Sequence, residues 1–325
     1  MIKTIKNKYE NLSVGVKASV WFLICSFLQK GISVITTPIF TRLLNASEYG
    51  TYNIFVSWES IFSVFFTMNL FYGMYSRGLV KYDEDRNAFT SSIAGFLCVL
   101  IVIWFIIYLI FHNLINNMIG MKTDYMILMF IWIWVSGIFQ MWAAEQRVDY
   151  NYKKLVIVSI IVSIFSPILS IIFIQFFNDK VFARILGMVI VSFFAYIWMF
   201  FSQLKNGNFF VKKYWIHALK FCIPLIPHYL SQTILNSSDR IMINQMVDSK
   251  TAGIYSLAYS ISMIMLLFNN ALSQTISPWI YKKIKSNEIH DISKIAYSTL
   301  AFIAFVNLLL ILFAPEAIAF FAPSE

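Results

Sequence analysis

The sequence predicts an all-α fold, a polytopic transmembrane helix bundle with a cytoplasmic N-terminus. Three observations carry this. Nine apolar stretches fill the chain, each near the roughly 20 residues that a helix needs to cross a bilayer. The 325 residues are 59% hydrophobic and only 13% charged, where a soluble domain carries about 25% charged residues. Lysine and arginine also alternate between loops, with eighteen on the N-terminal side and six on the other. That is the bias that keeps basic loops in the cytoplasm.

The nine spans read in order as follows. The first, 18–40, follows Lys3, Lys6, Lys8 and Lys17 and is followed by Arg42. The second, 51–74, opens after a polar turn. The third, 88–111, begins past Arg77, Lys81 and Arg86. The fourth, 125–144, lies between Lys122 and the basic group Arg147, Lys153 and Lys154. The fifth, 155–176, ends at Asn178-Asp179-Lys180, from which the sixth, 182–203, returns. Lys205, Lys212, Lys213 and Lys220 flank the way into the seventh, 218–238. There Pro224 and Pro227 predict a bend or a local unwinding that frees backbone carbonyls. The eighth, 252–276, follows a second polar turn. The ninth, 295–314, follows Lys282, Lys283, Lys285 and Lys294. Short connections make neighbouring helices antiparallel and leave no room for a soluble catalytic domain.

The composition excludes several classes of function. A net charge of +9 would suit a nucleic-acid partner, but the basic residues sit in juxtamembrane loops where orientation signals belong. Cys25, Cys98 and Cys222 fall inside apolar segments without metal spacing, so no disulfide framework or metal site is expected. The first apolar segment is too long for a cleavable signal peptide. Walker A, GxGxxG, HExxH and CxxC motifs are absent from the sequence, so no cofactor or catalytic residue is expected.

An internal repeat is visible. Residues 44–57, LNASEYGTYNIFVS, align at constant offset with 247–260, VDSKTAGIYSLAYS. Asn45 pairs with Asp248, Gly50 with Gly253, Tyr52 with Tyr255 and Ser57 with Ser260. The copies lie six spans apart and so point the same way. That arrangement predicts parallel lobes related by an axis along the membrane normal, one over residues 1–205 and a partial second over 206–325.

Polar residues at membrane depth are the candidate site. A lysine near mid-span costs about 2.5–3.5 kcal/mol on insertion scales, and Lys30 is too deep for easy snorkelling. Ser26, Lys30, Ser33 and Thr37 share one helix face, which predicts contact with a bundle interior or a wet cavity. Lys30 either lines that cavity or pairs with Glu59. The second span carries a stripe of Asn53, Ser57, Ser60, Ser63 and Thr67, which suits close helix packing. The seventh carries His228, Ser231, Gln232, Ser238 and Asp239, and the eighth Tyr255, Tyr259, Ser262, Asn269 and Ser273. Arg42 and Asp239-Arg240 lie near the outer ends, where an ion pair or a phosphate contact is expected.

Lys30-Gly31, the turn TPIFTRLLNASEYGTYN (37–53) and the segment IPLIPHYLSQTILNSSDRIMINQ (223–245) resemble a polysaccharide-transport flippase. Such O-antigen or capsular oligosaccharide flippases belong to the multidrug/oligosaccharidyl-lipid/polysaccharide exporter superfamily, and the resemblance runs over essentially the whole chain. It implies a two-lobed exporter with a cationic central cavity of alternating access, and about nine of the family's twelve to fourteen helices are present. The implied cargo is an undecaprenyl-diphosphate-linked oligosaccharide, moved across the bacterial cytoplasmic (inner) membrane. Lys30, Arg42, Arg240, Tyr52, Tyr255, Ser26 and Ser33 are the implied substrate contacts. Glu59, His228 and Asp239 are candidates for ion coupling. Partners would be membrane lipids and the glycan polymerase and glycosyltransferases of the same pathway. A multidrug exporter or a membrane glycan polymerase remain the alternatives. The first would favour cavity carboxylates and the second a long outer loop.

Overall fold

The computed structural model describes residues 14–205, 207–263, 265 and 289–321. Lys3, Lys6, Lys8, the later part of the eighth predicted span with Asn269 and Ser273, and the basic group Lys282, Lys283 and Lys285 lie outside them. Among the described residues there are helices and no strands. The helices are α1 (Val14–Leu43), α2 (Ala46–Thr67), α3 (Met74–Lys81), α4 (Arg86–Ile119), α5 (Thr123–Val148) and α6 (Tyr152–Phe176). They continue with α7 (Lys180–Leu204), α8 (Lys212–Cys222), α9 (Ile226–Met246), α10 (Ser249–Ser262), α11 (Ile289–Leu312) and α12 (Ala314–Phe321). Six of the described helices are long and apolar enough to cross a membrane: α1, α4, α5, α6, α7 and the last part of α11. The chain is a multi-pass membrane protein.

α2 and α9, at 22 and 21 residues, are long enough but more polar than those six. Neither faces lipid all round. α2 packs against α9 and α10 on one side and against α4, α5 and α7 on the other. Its polar stripe is satisfied within the helix. Asn53 donates to Tyr49 O, Ser57 to Asn53 O, Ser60 to Val56 O and Thr67 to Ser63 O. These side chains thus serve helix packing, where small residues allow backbones to approach. α2 stops at Thr67, short of the predicted 74, because Met68 and Asn69 take positive φ angles of 50° and 49° that end the helical path.

α5, α6 and α7 form the centre of the first six spans, with α4 laid on α5 and α7 and α1 laid on α6. Gly187 of α7 meets the Ser170 backbone of α6 so closely that an added Cβ would lie 2.6 Å from Ser170 Cα. The connection after α7 is seated rather than loose. The Val211 N–H donates to Ser92 Oγ at 3.0 Å and the Trp215 indole to Ser92 O at 2.9 Å. α8 therefore lies on α3 and α4. The prolines act as their sequence predicts: a 3-10 turn at Ile223–Leu225 holds Pro224, and Pro227 stands in the first turn of α9. Pro tolerates these positions because an N-terminal turn needs no N–H from it.

Candidate functional site

The two repeated turns share a side-chain N-cap. Asn45 caps α2, its side chain accepting the Glu48 N–H at 2.8 Å while Glu48 Oε2 accepts the Asn45 N–H at 2.8 Å. Asp248 likewise caps α10, accepting the Thr251 N–H at 2.6 Å, with Thr251 in the place of Glu48. This bond leads the interactions that hold the Asp248 carboxyl below the usual aspartate range. The repeats also touch. A Cβ on Gly50 would collide with the Ser249 carbonyl and stand 3.0 Å from Gly253 N, and a Cβ on Gly253 would collide with the Ala46 carbonyl and stand 3.0 Å from Gly50 N. Two residues paired by sequence repetition are thus paired in space, and only glycine fits at either position.

Beside this contact opens a cavity of about 680 Å³ between the ends of α1, α2, α7, α10 and α12. Arg42, Lys180 and Lys250 line it together with Asn45, Tyr49 and Ile254. None of its described lining residues is acidic. Lys180 Nζ donates to Leu43 O at 3.1 Å. The charge bias of the loops puts this cavity toward the outer face. Asp179, which caps α7 next to Lys180, is held by Lys122 at 2.6 Å and by the Tyr125 hydroxyl at 2.8 Å. Burial acts to raise its carboxyl, but the bonds from Lys122, the Phe182 N–H and Tyr125 prevail and keep it below the usual aspartate value. That carboxylate is thereby engaged away from the cavity cations.

Behind Tyr49 lies a residue that the sequence counted only as an orientation charge. The Arg184 guanidinium sits 3.5 Å from the Tyr52 ring centroid, 4.0 Å from that of Phe40 and 5.5 Å from that of Tyr49. Its Nη1 is buried without a hydrogen-bond partner among the described residues. Tyr52, expected to touch substrate, is thus covered by Arg184 and half-buried.

Lys30 is exposed and forms no ion pair with Glu59. The pairing alternative therefore falls away in this conformation. Ser26 and Ser33 are exposed on the same stripe. The Ser26 hydroxyl donates to Phe22 O and that of Thr37 to Ser33 O, leaving the Lys30 ammonium as the stripe's one charged head. At 100° per residue, the stripe flanks the α6 contact. The exposed apolar residues Leu28, Ile35 and Ile39 fall on the other flank. Glu59 is half-buried.

The remaining expectations scatter. Asp239 accepts the Tyr255 hydroxyl at 2.9 Å instead of pairing with Arg240. Arg240 donates to Asn236 O at 2.7 Å and lies 5.0 Å from the Tyr259 ring. His228 is exposed, next to Tyr229, which stacks on Tyr72. Of the sequence-predicted residues, only Arg42 lines the cationic cavity. Lys180 and Lys250 stand in the first turns of α7 and α10 and were legible only as outer-side charges.

A family model described as "Polysaccharide biosynthesis protein" matches residues 16–284. The chain belongs to that family. An uncharacterized membrane protein of Haemophilus influenzae is 21% identical over 326 residues, covering 94% of this chain and 75% of the relative. A protein of the Lsg locus of the same organism is 20% identical over 298 residues, covering 84% of this chain and 67% of the relative. A solved structure named "protein A" superposes with a TM-score of 0.58 at 14% identity, over 96% of this chain and 75% of that one. At that identity the likeness speaks for the fold alone. Family and fold together make this a multi-pass membrane protein of polysaccharide biosynthesis.

Proposed function

We infer that this protein is a flippase, which turns a lipid-linked oligosaccharide carrying a polyprenyl diphosphate from the cytoplasmic to the outer leaflet of the bacterial inner membrane. The observation that carries the reading is the cavity at the seam of the two repeats, with Arg42, Lys180 and Lys250 and no carboxylate among its described lining residues. A sugar diphosphate does not cross about 30 Å of hydrocarbon unaided, because its charges and hydroxyls would lose their water. Cations along a wet path replace that water, while the polyprenyl tail stays in lipid. Arg42 suits a phosphate through its planar fork of donors, and the lysines through point charge. Lys30, exposed on a stripe set apart from the apolar flank of α1, supplies the mid-depth charge. The absence of carboxylates from the described lining disfavours a multidrug exporter, which binds cations. Glycan export for O-antigen or capsule is the physiological setting this reading implies.

In cells that depend on this protein for surface glycan, Lys30→Ala and Arg42→Ala are expected to lose export while the protein inserts at normal levels. Wild-type export by stably inserted variants would overturn the role given to these cations.

A further inference from the structure

A second cavity, of about 400 Å³, lies at the cytoplasmic ends of α4, α5 and α7 and shares no lining residue with the seam cavity. Its lining is polar. Arg86 and Asp149 form a two-pronged pair, Nη1 to Oδ1 at 2.7 Å and Nη2 to Oδ2 at 2.8 Å. One turn before Asp149, Glu145 accepts the Tyr75 hydroxyl, and that hydroxyl lies 3.0 Å from Thr90 Oγ1. Gln203 completes the wall. It is 5% exposed, and neither its Oε1 nor its Nε2 has a hydrogen-bonding partner among the described residues. Leaving a buried amide unpaired is costly, and a hydrated cation would meet both ends, the ion at Oε1 and its water at Nε2.

Charge and donor type favour such an ion. Arg86 neutralises Asp149, so Glu145 leaves one formal negative charge in excess. An anion is therefore repelled. The neutral groups along the wall, Asn87, Thr90, Ser202 and Gln203, supply hard oxygens, the donors that alkali and alkaline-earth cations take. A dedicated divalent site gathers more uncompensated carboxylate than this.

We propose that this cavity binds a monovalent cation, with Glu145 supplying the charge and Gln203 Oε1 and the neighbouring hydroxyls supplying neutral oxygen ligands. The site joins three helices at the point where the inter-lobe connection lands. An added Cβ on Gly207 would lie 2.5 Å from Asn87 O and 2.7 Å from Ser91 Cβ. Occupancy thus stiffens the seat of that connection. The proposal does not depend on the transport reading, since binding is measured without flipping.

The test is equilibrium binding of radioactive sodium to the purified full chain in detergent, with choline chloride holding ionic strength constant. Saturable binding is expected, displaced by sodium chloride and not by choline. Gln203→Met keeps the side chain's size and removes its oxygen, and is expected to weaken binding roughly tenfold or more. Glu145→Gln is expected to abolish it, with size-exclusion profiles confirming that both variants remain folded. Should Glu145→Gln fail to fold, Ser202→Ala replaces it, with weakened binding expected. Displacement by potassium also supports the monovalent site. Three results overturn it: no saturable binding, displacement by magnesium alone, or wild-type affinity in the Gln203→Met protein.

Discussion

Arg184 places two opposing effects in one side chain. Its guanidinium gains from the rings of Phe40 and Tyr52, about 2 kcal/mol for a desolvated cation–π contact. Its unpaired Nη1 costs about 1–3 kcal/mol. The two nearly cancel, so the charge contributes little net stability, and Arg184→Met keeps the stem against the rings. We expect its melting temperature in detergent to stay within about 4 °C of wild type. A much larger drop would make Arg184 a structural linchpin of α1, α2 and α7. Asp179 behaves differently. Its folded carboxyl lies below the ordinary aspartate value, near 3.9, so its stabilisation is present above that pH and is lost as pH falls through the folded value. Asp179→Asn is therefore expected to lower the melting temperature modestly at pH 7, since the pair is partly exposed and screened. The deficit closes at acidic pH. A deficit unchanged between pH 7 and pH 3 would contradict this. At this scale the sequence is legible where a residue breaks a rule: Lys30 stands out because charge is rare at mid-span. Arg184, Lys180 and Lys250 obey the loop-charge pattern, and their distances to rings and to one another depend on how helices far apart in sequence meet.

The paired elements α2 and α10 bring the two repeats into contact. Their equivalent N-caps and the Gly50–Gly253 contact close the outer ends of the two repeats against each other. Under the proposed alternating access, this contact must part when the outer side opens. A Cβ at Gly50 overpacks the seam, at a cost of about 1–3 kcal/mol, enough to shift a closed-to-open balance roughly five- to 150-fold. We expect Gly50→Ala to speed labelling of a cysteine placed at Ile254 by an impermeant thiol reagent, in a background lacking Cys25, Cys98 and Cys222. Unchanged labelling would mean that the contact is static packing. The long helices of the first six spans, the proline break before α9 and the repeat itself were legible, since hydropathy, proline chemistry and N-cap residues are local signals; α9, running on to Met246 where the span was expected to end at 238, and the short α3 and α12 were not. The end of α2 at Thr67 was not, because the Met68-Asn69 backbone leaves the helical path with no glycine to announce it.

At the scale of the whole molecule, a membrane bundle of a polysaccharide biosynthesis family carries a cationic cavity where its two repeated turns meet. Moving one charge across 100 mV is worth about 2.3 kcal/mol, enough for the membrane potential or a coupled ion to bias the proposed alternating cycle. The most direct test reconstitutes the full chain in liposomes with a fluorescent polyprenyl-diphosphate oligosaccharide and follows its quenching by a membrane-impermeant reductant. Wild-type protein is expected to expose label from the inner leaflet faster than empty liposomes do, and a Lys30→Ala, Arg42→Ala double variant to fall back to the empty-liposome rate. Equal rates for wild-type and empty liposomes, or full activity in the double variant, would contradict the account.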